Sequence, residues 1–355
     1  MAHLVVAGAG MAGLVAAARA RELGGSVVLH EKLDRAGGSM LLSSGVVWRH
    51  RDFARFRADC PDGDEALQRL IFERLDGDIA WLESLGVPVV ERGTGNPLTV
   101  GVRFDPPGLT EALLRAAGEV RLGQPLERLP DGVPVLLATG GFPASRELVR
   151  RHMTSQADHV LVRAAPGNVG DGLWLALAAG GRTSPGLDEA YGRNMPAPPA
   201  RVEEADFVSL AQLYARHAAI TNERGERYQA RTWSEIDVFQ WTARQPRARA
   251  WLRVSEAALS ERVRDRTVRE MVEAAAGAGA RVTRDDGAVT VETVAGITST
   301  LGGLAIDRRA RAAPGVFAAG DDVGGIATGG YASGLAAALV FGRIAAESAL
   351  EAGIS

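Results

Sequence analysis

The stretch Leu4-Val5-Val6-Ala7-Gly8-Ala9-Gly10-Met11-Ala12-Gly13, continued by an alanine-rich run to Leu23 and closed by Ser26-Val27-Val28-Leu29-His30-Glu31, decides the fold. Four apolar residues read as a short buried strand. The run from Met11 to Leu23 reads as a helix, and Ser26 to His30 as a second strand ending on an acid. Strand, Gly-x-Gly-x-x-Gly, helix, strand and acid in this order form a dinucleotide-binding unit. Gly8 permits the tight turn, Gly10 lets backbone approach a pyrophosphate, and Gly13 lets helix and strand lie close. The helix N-terminus turns unpaired N–H groups and a partial positive charge toward that pyrophosphate. Glu31 follows Gly8 by 23 residues, where a carboxylate reaches ribose hydroxyls.

Working outward, 355 residues suffice for two domains and a large core. A net charge of −3 gives no reason to expect a nucleic-acid partner. Cys60 is the only cysteine, which excludes an internal disulfide, an iron–sulfur cluster and C-x-x-C chemistry. The histidines show no metal spacing, so no metal site is expected. With the first strand starting at Leu4, no signal peptide is expected. The apolar run Gly334–Ala349 is interrupted by Arg343 and Glu347 and is too short to span a bilayer. The expectation is a cytoplasmic protein with no membrane span.

Beyond Glu31, Gly37-Gly38-Ser39 and Ser43-Ser44-Gly45 supply small and hydroxyl residues suited to backbone lying against phosphate and a flat ring. The spacing predicts a helix over 62–86 and another over Thr110–Ala117. Gly93–Gly108 reads as a loop on the active-site side. Val133–Ala138 reads as a strand running into Thr139-Gly140-Gly141, and Leu173–Ala179 as a helix behind Gly170-Asp171-Gly172. From about Asp188 the chain is more charged and richer in proline. Ala218–Tyr228 reads as a hairpin, Arg262–Ala278 as a helix, and Tyr214 and His217 fall on an expected helix. Trp233, Trp241 and Trp251 are expected in the core of this region or along a hydrophobic pocket. At Ile297 the first domain resumes. A strand ends on Ala319-Gly320-Asp321, where the acid suits a ribityl chain. Tyr331-Ala332-Ser333-Gly334 then leads into the last helix, whose N-terminal charge would stabilise an anionic reduced ring.

These motifs, over residues 1–48, 133–196 and 297–349, resemble the flavoprotein superfamily of fumarate reductase, succinate dehydrogenase and the 3-ketosteroid dehydrogenases. The resemblance implies an α/β fold: a Rossmann-like FAD-binding domain with a central parallel sheet (1–187 and 297–355) and an inserted α+β capping domain (188–296) that closes on substrate. It implies noncovalent FAD held by Gly8, Gly10, Ala12, Gly13, Glu31, Lys32, Gly37, Gly38, Ser39, Ser43, Ser44, Gly45, Thr139, Gly140, Asp171, Gly320, Asp321, Gly334, Leu335 and Ala336. Where fumarate reductases carry two histidines, an arginine and an acid arginine, this chain has Met195, Ser299, Gly329 and Glu235. Losing those cations implies a neutral, apolar substrate rather than a dicarboxylate.

The loop Gly37–Trp48 and the pair Tyr331–Ser333 are similar to ketosteroid dehydrogenases acting on the 4,5 bond. The Tyr-Pro-Gly-Pro-Gly stretch of the 1,2-dehydrogenases is absent, and the chain is shorter than most of that family. The implied reaction is dehydrogenation, or the reverse ene-reduction, of a C–C bond beside a carbonyl. Tyr331, Ser333 and Tyr191 are the expected acid/base, assisting and polarising groups. An external electron donor or acceptor is required, since a second nucleotide motif is missing. Arg193 is the candidate for an anionic substrate. An oxygen-using FAD oxidase or hydroxylase, an ene-reductase acting on another acid, and a non-enzymatic flavoprotein are the competing readings.

Overall fold

A computed structural model describes residues 3–232 and 234–353. Trp233 lies outside the described residues. The chain forms two compact units: residues 1–145, 165–189 and 300–355 in one, and 146–164 with 190–299 in the other. The second unit therefore includes 146–164, a stretch expected in the nucleotide domain.

The first unit is built on a six-stranded sheet. In spatial order its strands are Arg311–Ala313, Val316–Ala318, Val135–Leu137, Leu4–Ala7, Val27–His30 and Val120–Arg121. All neighbours pair in parallel except the edge strand Arg311–Ala313. Leu4–Ala7 is wholly buried because it is flanked on both sides, which is why it reads as an unbroken apolar run rather than an alternating one. The opening helix, Met11–Glu22, packs on the final helix, Gly334–Gly353. Alanine on both keeps them close.

The charges that interrupt the final helix have partners. Arg343 donates to the buried carboxylate of Asp78 on the helix Glu65–Ser84. Glu347 accepts from Arg19 at 3.0 Å and Arg74 at 3.1 Å. These ions join helices of the core; they do not mark a membrane edge. Among the described residues no helix is long and apolar enough to cross a membrane.

Gly93–Gly108 is not the expected loop. Thr99–Phe104 is the middle strand of an antiparallel sheet between Val46–His50 and Val89–Arg92. Residues 93–98 connect the two strands, with the turn at Pro97–Leu98 closed by the Thr99 N–H on the Asn96 carbonyl, and Thr99, Val102 and Phe104 are buried. The helix after it starts at Pro106 rather than Thr110, because Asp105 caps it by accepting the Gly108 N–H at 2.9 Å and Pro106 occupies the first position.

The second unit is organised on the strand Ala288–Thr300, which pairs with Arg249–Ser255, Val282–Asp285 and Leu161–Val162, and also with Ala190–Pro196. Asp286 and Gly287, both at positive φ, make the two-residue turn of its hairpin. The helix Glu235–Ala243 covers Ala190–Pro196. Two expectations are corrected here. Arg262–Ala278 begins as a tight hairpin (Arg262–Val263 with Arg266–Thr267) and becomes helical only at Val268, where Thr267 and Glu270 form a capping box. Tyr214 and His217 flank or end a single 3-10 turn, Ala215–His217. The Ala218–Tyr228 turn forms as read. Asn222 Oδ1 accepts from Arg224 and Glu226, and Thr221 bridges Arg227. Trp241 packs against Tyr228 at 5.6 Å beside the core, and Trp251 lies half-buried on Arg249–Ser255.

Candidate active site

The site elements of the first unit converge at the C-terminal ends of its parallel strands. Gly8 has φ +100°, and a Cβ there would lie 2.2 Å from the Ala138 carbonyl oxygen; only glycine lets the two strand ends meet. Gly37 donates to the Ala9 carbonyl at 2.8 Å, and Gly38 lies against Gly10. Gly320 rests on the methyl of Ala12. The opening motif, the double glycine and the Ala-Gly-Asp turn are thus brought together.

Glu31 makes two bonds within the motif itself. One carboxylate oxygen accepts the Ala9 N–H and the other the Leu33 N–H, both at 2.8 Å. It braces the glycine turn. Lys32 and Asp171, both expected at the cofactor, pair with each other at 2.8 Å. Ser39 accepts from the Ala165 N–H and the Asn168 amide, each at 3.1 Å. Ser43 donates to Met40 and accepts from Gly45, fixing its own turn. Ser44 is exposed.

Asp322 was not singled out by its sequence. Its buried carboxylate accepts the Thr139 N–H at 2.5 Å, the Thr139 hydroxyl at 2.9 Å and the Gly141 N–H at 3.0 Å. The Thr139 hydroxyl in turn accepts from the Gly172 N–H at 3.0 Å. Burial raises the Asp322 carboxyl above its ordinary range and these bonds pull it back. The signal was the Asp321-Asp322 pair itself: adjacent acids after a buried strand cannot both face one ligand.

The residues fit an FAD. Gly10 caps the opening helix without a side chain, its first turn holds no acid, and a Cβ on Gly10 would meet nothing within 4 Å. Unspent N–H groups therefore face open space, as a pyrophosphate requires. Among the described residues the Asp321 carboxylate has no hydrogen-bond partner, and burial with the neighbouring Asp322 pushes it up to about 7. A half-buried acceptor lacking donors suits ribityl hydroxyls. Gly334, Leu335 and Ala336 open the final helix beside it. Among the described residues no His, Cys, Asp or Glu group of three or more is placed to hold a metal ion.

Tyr331 stands just before that helix. Its ring lies 5.8 Å from that of Trp48, tilted at 57°. Trp48 meets His50 edge-on at 5.3 Å, and His50 stacks on Phe56. Gly330 is pressed on the Asp59 carbonyl, and the Tyr331 N–H faces the Cys60 sulfur. Ser333 Oγ accepts the Ala336 N–H at 3.2 Å and donates to the Val46 carbonyl at 3.5 Å. It is the cap of the final helix.

In the second unit, Tyr191 lies half-buried on Ala190–Pro196. The Arg193 guanidinium sits 4.7 Å over its ring.

A family model described as an FAD binding domain matches residues 3–109 and 126–335. No curated protein matches the chain in sequence. Among solved structures, the open conformation of a flavocytochrome c3 fumarate reductase superposes with a TM-score of 0.75 at 20% identity, over 100% of this chain and 79% of the other. The 3-ketosteroid-Δ4-(5α)-dehydrogenase from Rhodococcus jostii RHA1, in complex with 4-androstene-3,17-dione, gives 0.72 at 19% over 98% and 96%. The 3-ketosteroid Δ1-dehydrogenase from Sterolibacterium denitrificans gives 0.75 at 15% over 99% of both chains. These likenesses carry the fold, and the family match covers most of the sequence. The chain belongs to the FAD-binding domain family and is an FAD-dependent oxidoreductase with the fold of the fumarate reductase flavoproteins.

Proposed function

We propose that this protein dehydrogenates, or in reverse reduces, a C–C bond adjacent to a carbonyl in an apolar substrate. The observation that carries the reading is the setting of Tyr331. A phenol, rather than a charged side chain, stands at the head of the final helix, beside Trp48. A neutral hydroxyl suits a carbonyl in apolar surroundings. Bound FAD supplies a hydride acceptor, or in its reduced form a donor, to the carbon beta to the carbonyl.

The chain's own residues would do the rest. Tyr331 donates a hydrogen bond to the carbonyl oxygen and serves as acid/base. The partial positive charge of the adjoining helix N-terminus favours an oxyanion beside it. Ser333 assists by fixing the start of that helix, since its hydroxyl is spent on the cap. Tyr191 stays the candidate polarising donor expected from the sequence. Three of the solved likenesses act, by name, on fumarate or on 3-ketosteroids. The positions expected to bind a dicarboxylate hold Met195, Ser299 and Gly329 here, which favours the ketone.

The test is an anaerobic photometric screen of the holoprotein, oxidised and photoreduced, against ketones, enones and carboxylates that include 4-androstene-3,17-dione. Bleaching by a saturated ketone, or reoxidation by an enone, is the expected result. Reoxidation by fumarate alone, or by oxygen with hydroxylated product, would sink it.

A further inference from the structure

Behind Tyr331 lies a histidine–carboxylate pair that the proposed reaction does not use. His50 ends the strand Val46–His50 and is 3% exposed. Its Nε2 lies 3.2 Å from Oδ2 of Asp59, and Arg55 holds the same oxygen at 2.9 Å. The imidazole stacks on Phe56, with 4.7 Å between centroids and 23° between planes. Its Nδ1 is buried with no hydrogen-bond partner among the described residues. A doubly protonated ring would bury an unpaired N–H there, so the neutral ring that donates from Nε2 to Asp59 is the form that fits.

The pair meets the Tyr331 segment along two routes. The first runs through side chains. Trp48 and His50 are two residues apart on one strand, so their rings share a face. The Trp48 ring sits edge-on to His50 at 5.3 Å and tilted against Tyr331 at 5.8 Å. The second runs through backbone. A Cβ on Gly330 would lie 1.6 Å from the Asp59 carbonyl oxygen, so the chain ahead of Tyr331 rests directly on the end of the helix Phe53–Asp59. Asp59 therefore meets His50 with its carboxylate and the neighbour of Tyr331 with its carbonyl. All of these residues belong to the first unit.

We propose that His50, locked by Asp59, is the positioning residue for Tyr331: it fixes the tilt of Trp48 and with it the direction of the phenol. This rests on the role proposed above for Tyr331 and deepens it. Packing alone would be served by a phenylalanine or leucine, which carries no polar group into a buried place. A histidine tied at one ring edge differs in that its ring cannot turn. Aromatic neighbours prefer edge-on and tilted arrangements, so a ring that cannot turn constrains the next one. Orientation of this kind matters, since a misplacement of about 1 Å costs roughly 100-fold in rate.

Two measurements on the holoprotein test this. The four tyrosines are replaced by 3-fluorotyrosine, and the Tyr331 fluorine resonance is identified by its loss in Tyr331→Phe. His50→Phe keeps a ring against Phe56 and loses the bond to Asp59. It should shift or broaden the Tyr331 resonance and leave those of Tyr191, Tyr214 and Tyr228, all in the second unit, in place. His50→Gln, which still donates to Asp59, should return the resonance toward its wild-type position. Asp59→Ala frees the ring without altering it and carries the same expectation as His50→Phe. The second measurement is kinetic. On the ketone that the screen identifies, His50→Phe should lower kcat about 10-fold with KM little changed and flavin retained. In a Tyr331→Phe background the same substitution should change kcat by less than about twofold, because residues acting through one group are not additive. A Tyr331 resonance unmoved in both His50→Phe and Asp59→Ala overturns the assignment. An equal loss of kcat in the two backgrounds also overturns it, being the mark of a structural role. If the wild-type protein turns over no ketone, the reaction class falls, and the fluorine spectra alone decide whether His50 orients Tyr331.

Discussion

The carboxylate of Asp322 accepts both the backbone N–H and the hydroxyl of Thr139, 183 residues earlier in the chain, at 2.5 and 2.9 Å. It thereby ties the Ala-Thr-Gly-Gly turn to the Ala-Gly-Asp-Asp turn at the ends of two adjacent strands, with Gly141 N–H as a third donor. Removing it strands three donors in a buried place. Asp322→Ala should cost roughly 2–4 kcal/mol, since each buried donor left unpaired costs about 1–3 kcal/mol before relaxation. The expected result is a lower Tm and faster flavin loss. A variant with wild-type Tm and retained flavin would show that water replaces the carboxylate.

Asp321, next to it, should make flavin binding pH-dependent. Its folded value in the protein without ligand is about 7, above the ordinary 3.8. The native apoprotein therefore holds a proton that the unfolded chain releases. The Asp321 contribution to apoprotein stability is fully present below about 4 and is lost as pH rises through about 7. Ribityl hydroxyl donors favour the ionised carboxylate, so FAD affinity should rise over the same interval. Fluorescence-quench titrations of the apoprotein against FAD should show that rise, and Asp321→Asn should flatten it. An affinity independent of pH in the wild-type protein would place Asp321 away from the ribityl chain.

Tyr331→Phe keeps the ring against Trp48 and removes only the hydroxyl. Turnover on the ketone that the screen identifies should fall about 10²–10⁴-fold, the range of a positioned acid or base. The flavin should stay bound, with its visible spectrum unchanged. Full activity in this variant assigns Tyr331 to packing.

The ion pair between Arg343 and Asp78 should behave as a buried pair. Arg343 lies over the Trp81 ring at 4.9 Å, and Asp78 keeps only a 3.9 Å approach from Arg74 if Arg343 is removed. Arg343→Met should cost about 3–5 kcal/mol because it leaves a buried carboxylate without its main partner. Adding Asp78→Leu should recover most of that loss. Denaturant unfolding of the two single variants and the double variant measures the coupling. Additive losses would mean that the pair contributes nothing jointly.

The reach of local sequence is visible at particular residues. The turn at Gly8 was legible because its spacing, its strand and its helix lie within one short segment, and backbone sterics act there directly. The caps were legible for the same reason: Thr267 and Glu270 are three residues apart. Thr99–Phe104 was not, because glycines at 93, 95 and 101 lowered its apparent order, while its strand character comes from two partner strands distant in sequence. As a letter Ser333 is a hydroxyl two residues after Tyr331, and its use as the cap of the final helix shows only in the bond it accepts from the Ala336 N–H.

The cofactor and the parallel sheet were legible along the chain, since glycine spacing, apolar runs and a terminal acid are local constraints. Which carboxylate does what depends on the folded molecule. Glu31, Asp171, Asp321 and Asp322 are chemically near-equivalent as letters. Their partners, or lack of them, come from residues far away in the chain. Desolvation and hydrogen bonding, which set a carboxylate's charge and availability, exist only once those partners have been brought together.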